Sequence, residues 1–233
     1  RLLLMPLSML IKDFLWWIIK ENWLVNQLYL KLGNRLFRPV DLKLAETKLP
    51  LTDKQDYLDT KPVCWPYIRG YSSGTTNQPL TVYRSIKSIL LEEFMLKSAL
   101  HTFGIPLRPR IAVLRGDHIS NADDSSLFFM KLPFTGRLLM SSYHLGPKTA
   151  SQYLHKLEQH QPDVIMAYPS SIYLLAQLAE KLSWKPDWPV RCVFTSSETF
   201  SKEKQQLVRK VFGPVCDHYG QAERVAALQT CPE

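Results

Sequence analysis

The sequence predicts an α/β fold in which layered sheets carry helices on their flanks. Three features predict it. Short apolar runs end in polar turns, segments with helical apolar spacing alternate with those runs, and no Gly-, Ser- or Pro-rich linker divides residues 61–233. Strand, helix and strand at this spacing imply right-handed crossovers and a largely parallel sheet.

Leu51-Thr52-Asp53-Lys54 reads as a loop with a helix cap. Lys61-Pro62 ends that helix, because the residue before proline is pushed out of the helical region. Leu80-Thr81-Val82-Tyr83 reads as a strand. Ser85 then caps a helix over about 86–103, with Ile86, Ile89, Leu90 and Phe94 at helical spacing, and Gly104-Ile105-Pro106 stops it.

Arg110 to Arg115 reads as a buried strand ending at Gly116-Asp117, a turn placed to face a site. Gly136 to Ser141 is another strand, and 147–160 a helix ended by Gln161-Pro162. Asp163 to Tyr168 is the next strand. Pro169-Ser170-Ser171 opens a helix to about Leu182, with proline in the first turn and serines as caps. Val190 to Phe194 is a strand and Ser201 to Val211 a helix capped by Ser201. Val211 to Cys216 reads as a helix end, a turn and a short strand.

Composition narrows the function classes. The chain has 233 residues, 45% hydrophobic and 21% charged, which is ample material for a core. Nine glycines against 16 prolines, without an internal repeat, argue against low complexity. The net charge of +8 is spread with no basic run of five or more. That pattern favours a solvated basic surface serving an anionic substrate over nucleic-acid binding. Cys64, Cys192, Cys216 and Cys231 form no C-x-x-C pair and read as reduced thiols of a cytoplasmic protein. Cys216, His218 and Cys231 are ligand types that zinc uses, but their spacing is no zinc motif.

Residues 1–60 read as a helical segment packed on the main domain. Phe14-Leu15-Trp16-Trp17-Ile18-Ile19 is strongly apolar, yet Lys12, Asp13, Lys20 and Glu21 bracket it. A membrane span needs about 20 apolar residues, so residues 8–32 read as an amphipathic helix. Peripheral contact with a membrane surface is the lesser alternative.

Three polar segments follow predicted strands, which is how open α/β sheets build nucleotide sites. The first is Tyr71-Ser72-Ser73-Gly74-Thr75-Thr76-Asn77-Gln78-Pro79. Its glycine lets backbone come close to an anion, and its N–H and O–H groups donate to phosphate oxygens. It is not a Walker loop, because no Gly-Lys-Ser/Thr follows. Alone, it fits a polar turn equally well. The second is Val193-Phe194-Thr195-Ser196-Ser197-Glu198, and the third Asp217-His218-Tyr219-Gly220-Gln221-Ala222-Glu223.

In order and wording these segments resemble the adenylate-forming superfamily of acyl-CoA synthetases, and within it the phenylacetate–CoA ligase-like branch that includes capsular polysaccharide proteins. The resemblance runs from about Tyr67 to Cys231. It implies activation of a carboxylic acid by ATP as an acyl adenylate, followed by transfer to CoA. An adenylyl or acyl transferase for cell-envelope polysaccharide, and a non-catalytic relative, are the alternatives.

By that resemblance Ser72, Ser73, Gly74, Thr75 and Thr76 hold the ATP phosphates. Asn77 and Gln78 stand where the pattern continues with glycine and often lysine, so a phosphate-contacting cation is missing from the loop. Glu223 matches the acidic position turned towards Mg²⁺, and Thr75 and Glu223 are the catalytic pair. Tyr219 and Gly220 lie by the adenine, and Ser196, Ser197 and Glu198 match the family's adenine-side loop. Plain readings stand beside these: a surface residue for Glu223, core packing for Tyr219, a helix cap for Ser197. Tyr143, His144, Tyr168 and Pro169 sit at predicted strand ends, where they could line a pocket for the acid. His144 also fits a structural hydrogen-bonder. The resemblance further implies that residues 61–233 are part of a larger AMP-binding domain. Its other half, and a small lid domain bearing a lysine, would lie outside this chain.

Overall fold

The computed structural model describes residues 67–71, 81–106, 108–116, 128–220 and 227–229, with positions 10, 11, 13, 14 and 17 near the N-terminus. Residues 72–76, Asn77, Gln78, Asp117, Ala222, Glu223, Cys64 and Cys231 lie outside that set, as does most of the segment 1–60.

Strands β1 (Tyr67–Tyr71) and β2 (Thr81–Ser85) pair antiparallel, with Tyr71 opposite Thr81. They flank residues 72–80. Helix α1 (Ile86–Thr102) follows directly, and the Ser85 hydroxyl accepts from the Ser88 N–H at 3.0 Å. This is the expected cap.

The remaining strands form one sheet in the order β4-β5-β3-β6-β7-β8-β9. They are β3 (Ile111–Arg115), β4 (Phe129–Lys131), β5 (Leu138–Ser141), β6 (Val164–Ala167), β7 (Cys192–Ser196), β8 (Val215–Gly220) and β9 (Ala227–Gln229). The five inner strands run parallel, and β4 and β9 close the edges antiparallel. Helices α2 (Ala150–His160), α3 (Pro169–Lys181) and α4 (Lys202–Val211) connect β5 to β6, β6 to β7 and β7 to β8. The predicted α/β architecture with a parallel sheet is what the chain adopts.

Both faces of the sheet are covered, which explains why its strands read as unbroken apolar runs. Successive side chains of a strand point to opposite faces. Ala112, Leu114, Ile165 and Val193 therefore meet α2, α3 and α4 through Tyr153, Leu157, Ile172, Leu175 and Val208. Ile111, Val113, Val164, Phe194 and Cys216 form the other face, under Leu100 of α1. Cys192 and Cys216 are buried thiols on that face, neither of them in a disulfide.

Several expectations are corrected in detail. Asp217–Gly220 is not a loop but the second half of β8, because pairing with both β7 and β9 outweighs the poor strand propensity of Asp, His and Gly. Serines do not cap α3: Tyr168 is its N-cap residue, with no side-chain bond, and Pro169 takes the first turn. Ser197 caps no helix either; Ser201 caps α4.

Near the N-terminus, Asp13 is buried against the turn that precedes β5. Its carboxylate accepts from the Phe134 N–H at 2.9 Å and the Thr135 hydroxyl at 2.7 Å, and the Phe14 ring meets Phe134 edge-on. Among the described residues no helix is long and apolar enough to cross a membrane.

Candidate active site

The register of the parallel strands sets a polar row across the carboxyl end of the sheet. Arg115 is paired with Ser141, and Ser196 with His218. Tyr168 follows Ala167, which is paired with both Leu114 and Thr195, so it falls between Arg115 and Ser196. One step back along the same face stand Leu139, Val113, Met166, Phe194 and Cys216. The α1 face thus changes from apolar to polar in a single row: Ser141, Arg115, Tyr168, Ser196, His218. Carboxyl ends of parallel strands are where open α/β sheets bind ligands.

Three members of the row, Arg115, Tyr168 and Ser196, touch one another. Arg115 Nη2 donates to Ser196 Oγ at 2.9 Å, passing over the Tyr168 ring with its guanidinium carbon 5.6 Å from the centroid. The contact has cation–π geometry. Ser196 is buried and Arg115 half-buried. His218 packs on Phe194, ring centroids 5.4 Å apart. Its Nδ1 is buried and has no hydrogen-bond partner among the described residues. Burial holds the His218 pKa below the usual histidine value; Glu92 of α1 opposes that shift, Arg115 adds to it, and Asp217 opposes it. The imidazole is therefore neutral at neutral pH.

The opposite face of the same strand ends carries a second set. Thr195, fully buried, donates its hydroxyl to Asp217 Oδ1 at 2.7 Å. Alternation puts Tyr219 on this side too, 57% exposed beyond Asp217. Glu198 sits at the start of α3, where its carboxylate accepts from the Ser170 N–H at 2.8 Å and the Ser170 hydroxyl at 2.9 Å. A carboxylate at a helix N-terminus satisfies an orphan donor and suits the helix dipole. Ser197 takes a left-handed backbone, φ 76°, to turn the chain from β7 towards Glu198.

The structure brings some of the sequence-derived residues together and separates others. Tyr168 and Ser196 share the row with Arg115, and buried Pro169 leads into the Ser170–Glu198 contact. Tyr143 is 67% exposed and leans over Gly116, where a Cβ would lie 2.8 Å from its hydroxyl. His144 adjoins the row at its Ser141 end: its Nδ1 bonds the Ser141 hydroxyl at 2.9 Å and its ring stacks on Phe128. Ser196 and Tyr168 lie on one face of the sheet, whereas Tyr219 lies on the other. Ser72, Ser73, Gly74, Thr75, Thr76 and Glu223 lie outside the described residues.

Sequence reasoning missed Arg115 and Ser141 as site candidates and weighed His218 only as a zinc ligand. The signal that could have found them is strand phase: each continues the period-two face of a buried strand by one polar residue.

No family model matches the chain, and no curated protein matches it. Solved structures do. VinN in complex with L-aspartate is 18% identical, over 69% of this chain and 39% of that one, with a TM-score of 0.46. The fatty acyl-adenylate ligase from L. pneumophila, in complex with acyl adenylate and pyrophosphate, is 15% identical over 70% of this chain and 30% of that one, TM-score 0.45. An open conformation of 2-hydroxyisobutyryl-CoA ligase, with 2-HIB-AMP and CoA, is 17% identical over 72% and 38%, TM-score 0.41. The chain spans less than half the length of each of these chains. The likeness is one of fold, to part of several adenylate-forming enzymes.

Proposed function

We propose that this chain is part of an ATP-dependent ligase that activates a carboxylic acid as its acyl adenylate and passes the acyl group to CoA. The observation that carries the reading is the polar row at the carboxyl end of the parallel sheet, with two of the three motif segments meeting at it. Ser196 comes from the second segment and His218 from the third. The motif wording supports the phenylacetate–CoA ligase-like type.

The chemistry needs positioning and charge neutralisation above all. A carboxylate oxygen attacks the α-phosphorus of ATP, the bond to the β-phosphate bridging oxygen breaks, and pyrophosphate leaves. The thiol sulfur of CoA then attacks the acyl carbon, its proton is lost, and AMP leaves. In this reading Ser72, Ser73, Gly74, Thr75 and Thr76 grip the phosphates, Tyr219 and Gly220 face the adenine, and Ser197 and Glu198 border it. Tyr143, Tyr168 and Pro169 line the acid side, with His144 behind them. Glu223 is the carboxylate for Mg²⁺, whose charge would offset that of the phosphates.

The test is ATP–pyrophosphate exchange by the complete gene product, screened over aryl, fatty and amino acids. Exchange that depends on one class of acid supports the proposal. A protein that binds ATP but exchanges no pyrophosphate with any acid class overturns it.

A further inference from the structure

We infer that Arg115 is an anion-binding residue, and that Arg115, Ser196 and His218 form a floor that receives a substrate oxyanion, a carboxylate or a phosphoryl group. The inference deepens the proposed adenylation reading and rests on it for the location of the substrate.

Among the described residues, Arg115 is the one Lys or Arg within two positions of the carboxyl end of any parallel strand. It is also fixed rather than waving. Among its contacts, the Ser196 hydroxyl at the end of β7 and the Tyr168 ring just past the end of β6 hold the guanidinium at two points. A planar cation held this way keeps its fork geometry, which matches the two oxygens of a carboxylate or phosphoryl group. Three places along the same row from Arg115, His218 Nδ1 is buried without a partner among the described residues. A buried polar atom with no partner calls for an explanation, and a hydrogen bond to a bound ligand is one. As its Nδ1–H tautomer the neutral imidazole can donate a hydrogen bond to an oxyanion there.

The sequence supplies a reason for a cation at this place. The hydroxyl-rich loop carries Asn77 and Gln78 and no Lys or Arg between Tyr71 and Leu80. The carboxylate of an acid must still approach a polyanionic nucleotide, and repulsion between them opposes that approach. Arg115 offsets it from the sheet rather than from the loop. Glu92 of α1 acts electrostatically on His218, so one negative charge also lies near this row.

Two probe pairs that differ only by their anion test this on the complete gene product by titration calorimetry: adenosine against AMP, and benzyl alcohol against benzoate. The variants are Arg115→Gln and Arg115→Lys, with thermal midpoints recorded to verify folding. Arg115→Gln is expected to weaken one anionic probe about tenfold or more while leaving its neutral partner unchanged. Arg115→Lys keeps the charge but loses the fork, and recovers part of the binding. Loss on AMP assigns the floor to a phosphoryl group; loss on benzoate assigns it to the acid. Equal loss on charged and neutral probes, or loss on neither anion, overturns the inference. Wild-type protein that binds no nucleotide defeats the adenylation reading, yet Arg115-dependent benzoate binding would still uphold this one. A wild-type protein that binds none of the probes defeats both.

Discussion

Arg115 and Ser196 are 81 residues apart in sequence and 2.9 Å apart in space, joined across the end of β6 by a guanidinium-to-hydroxyl hydrogen bond. This contact ties the first buried parallel strand to the strand that carries the second motif segment. It also shows how the sheet assembles a polar surface from residues that no local motif contains.

Beneath that surface, Thr195 anchors Asp217. The pair is buried on the Thr195 side, so Thr195→Val keeps the shape and removes the donor to a carboxylate. Loss of a buried hydrogen bond of this kind costs about 1–3 kcal/mol. Urea unfolding of Thr195→Val beside wild type is expected to show a lower midpoint with an unchanged slope. An unshifted midpoint would mean that the bond contributes nothing.

Gly213 links α4 to β8 with φ at 121°, and a Cβ there would lie 2.9 Å from the Val190 carbonyl oxygen. Both the backbone angle and the contact disfavour any other residue. Gly213→Ala is expected to destabilise the fold by about 1–3 kcal/mol, read as a fall in the thermal midpoint. A midpoint equal to wild type would show that the turn relaxes freely.

Glu198 holds the start of α3 through both atoms of Ser170 that can donate. Glu198→Ala removes that support, and helix N-terminal caps are worth about 1 kcal/mol. Hydrogen exchange of the first-turn amides of α3 is expected to quicken while that of α2 stays as it was. Equal rates in both helices would sink the assignment. If Glu198 also borders the adenine, the same variant weakens AMP more than benzoate.

Acid should weaken the fold through two histidines. His160 and His218 both have folded pKa values below 6.5: burial is the main cause in each, opposed at His160 by a bond to the Ile111 carbonyl. In the unfolded chain both bind a proton near pH 6.5. The unfolded state therefore takes up more protons below that pH, and stability falls as pH drops through about 6.5, with no contribution from these groups above it. Urea titrations from pH 8 to pH 5 are expected to show a plateau and then a decline. The decline should flatten in a His160→Gln, His218→Gln double variant; an equally steep decline there would assign it to other groups.

Much of the fold was legible in the sequence because buried parallel strands and capped helices announce themselves locally. Ser85 and Ser201 cap the helices expected of them, and Gln161, with φ at 47°, ends α2 ahead of Pro162. What escaped was set by partners rather than by sequence. The three-residue edge strands β4 and β9 are too short to carry a period. The second half of β8 looks like a loop until β7 and β9 flank it. The row of Ser141, Arg115, Tyr168, Ser196 and His218 depends on the registers of five strands, which a single sequence leaves open. Motif reading found Tyr168 and Ser196 because they adjoin recognisable turns, and passed over Arg115 because it closes an otherwise apolar run.

The most direct measurement is a crystal structure of the complete gene product grown with ATP and Mg²⁺. The account predicts one nucleotide with Thr75 on its phosphates, Glu223 on its metal ion and the Arg115–Ser196 row beside its reacting end. Thr75 and Glu223 on opposite sides of the sheet, unable to reach a shared nucleotide, would contradict it.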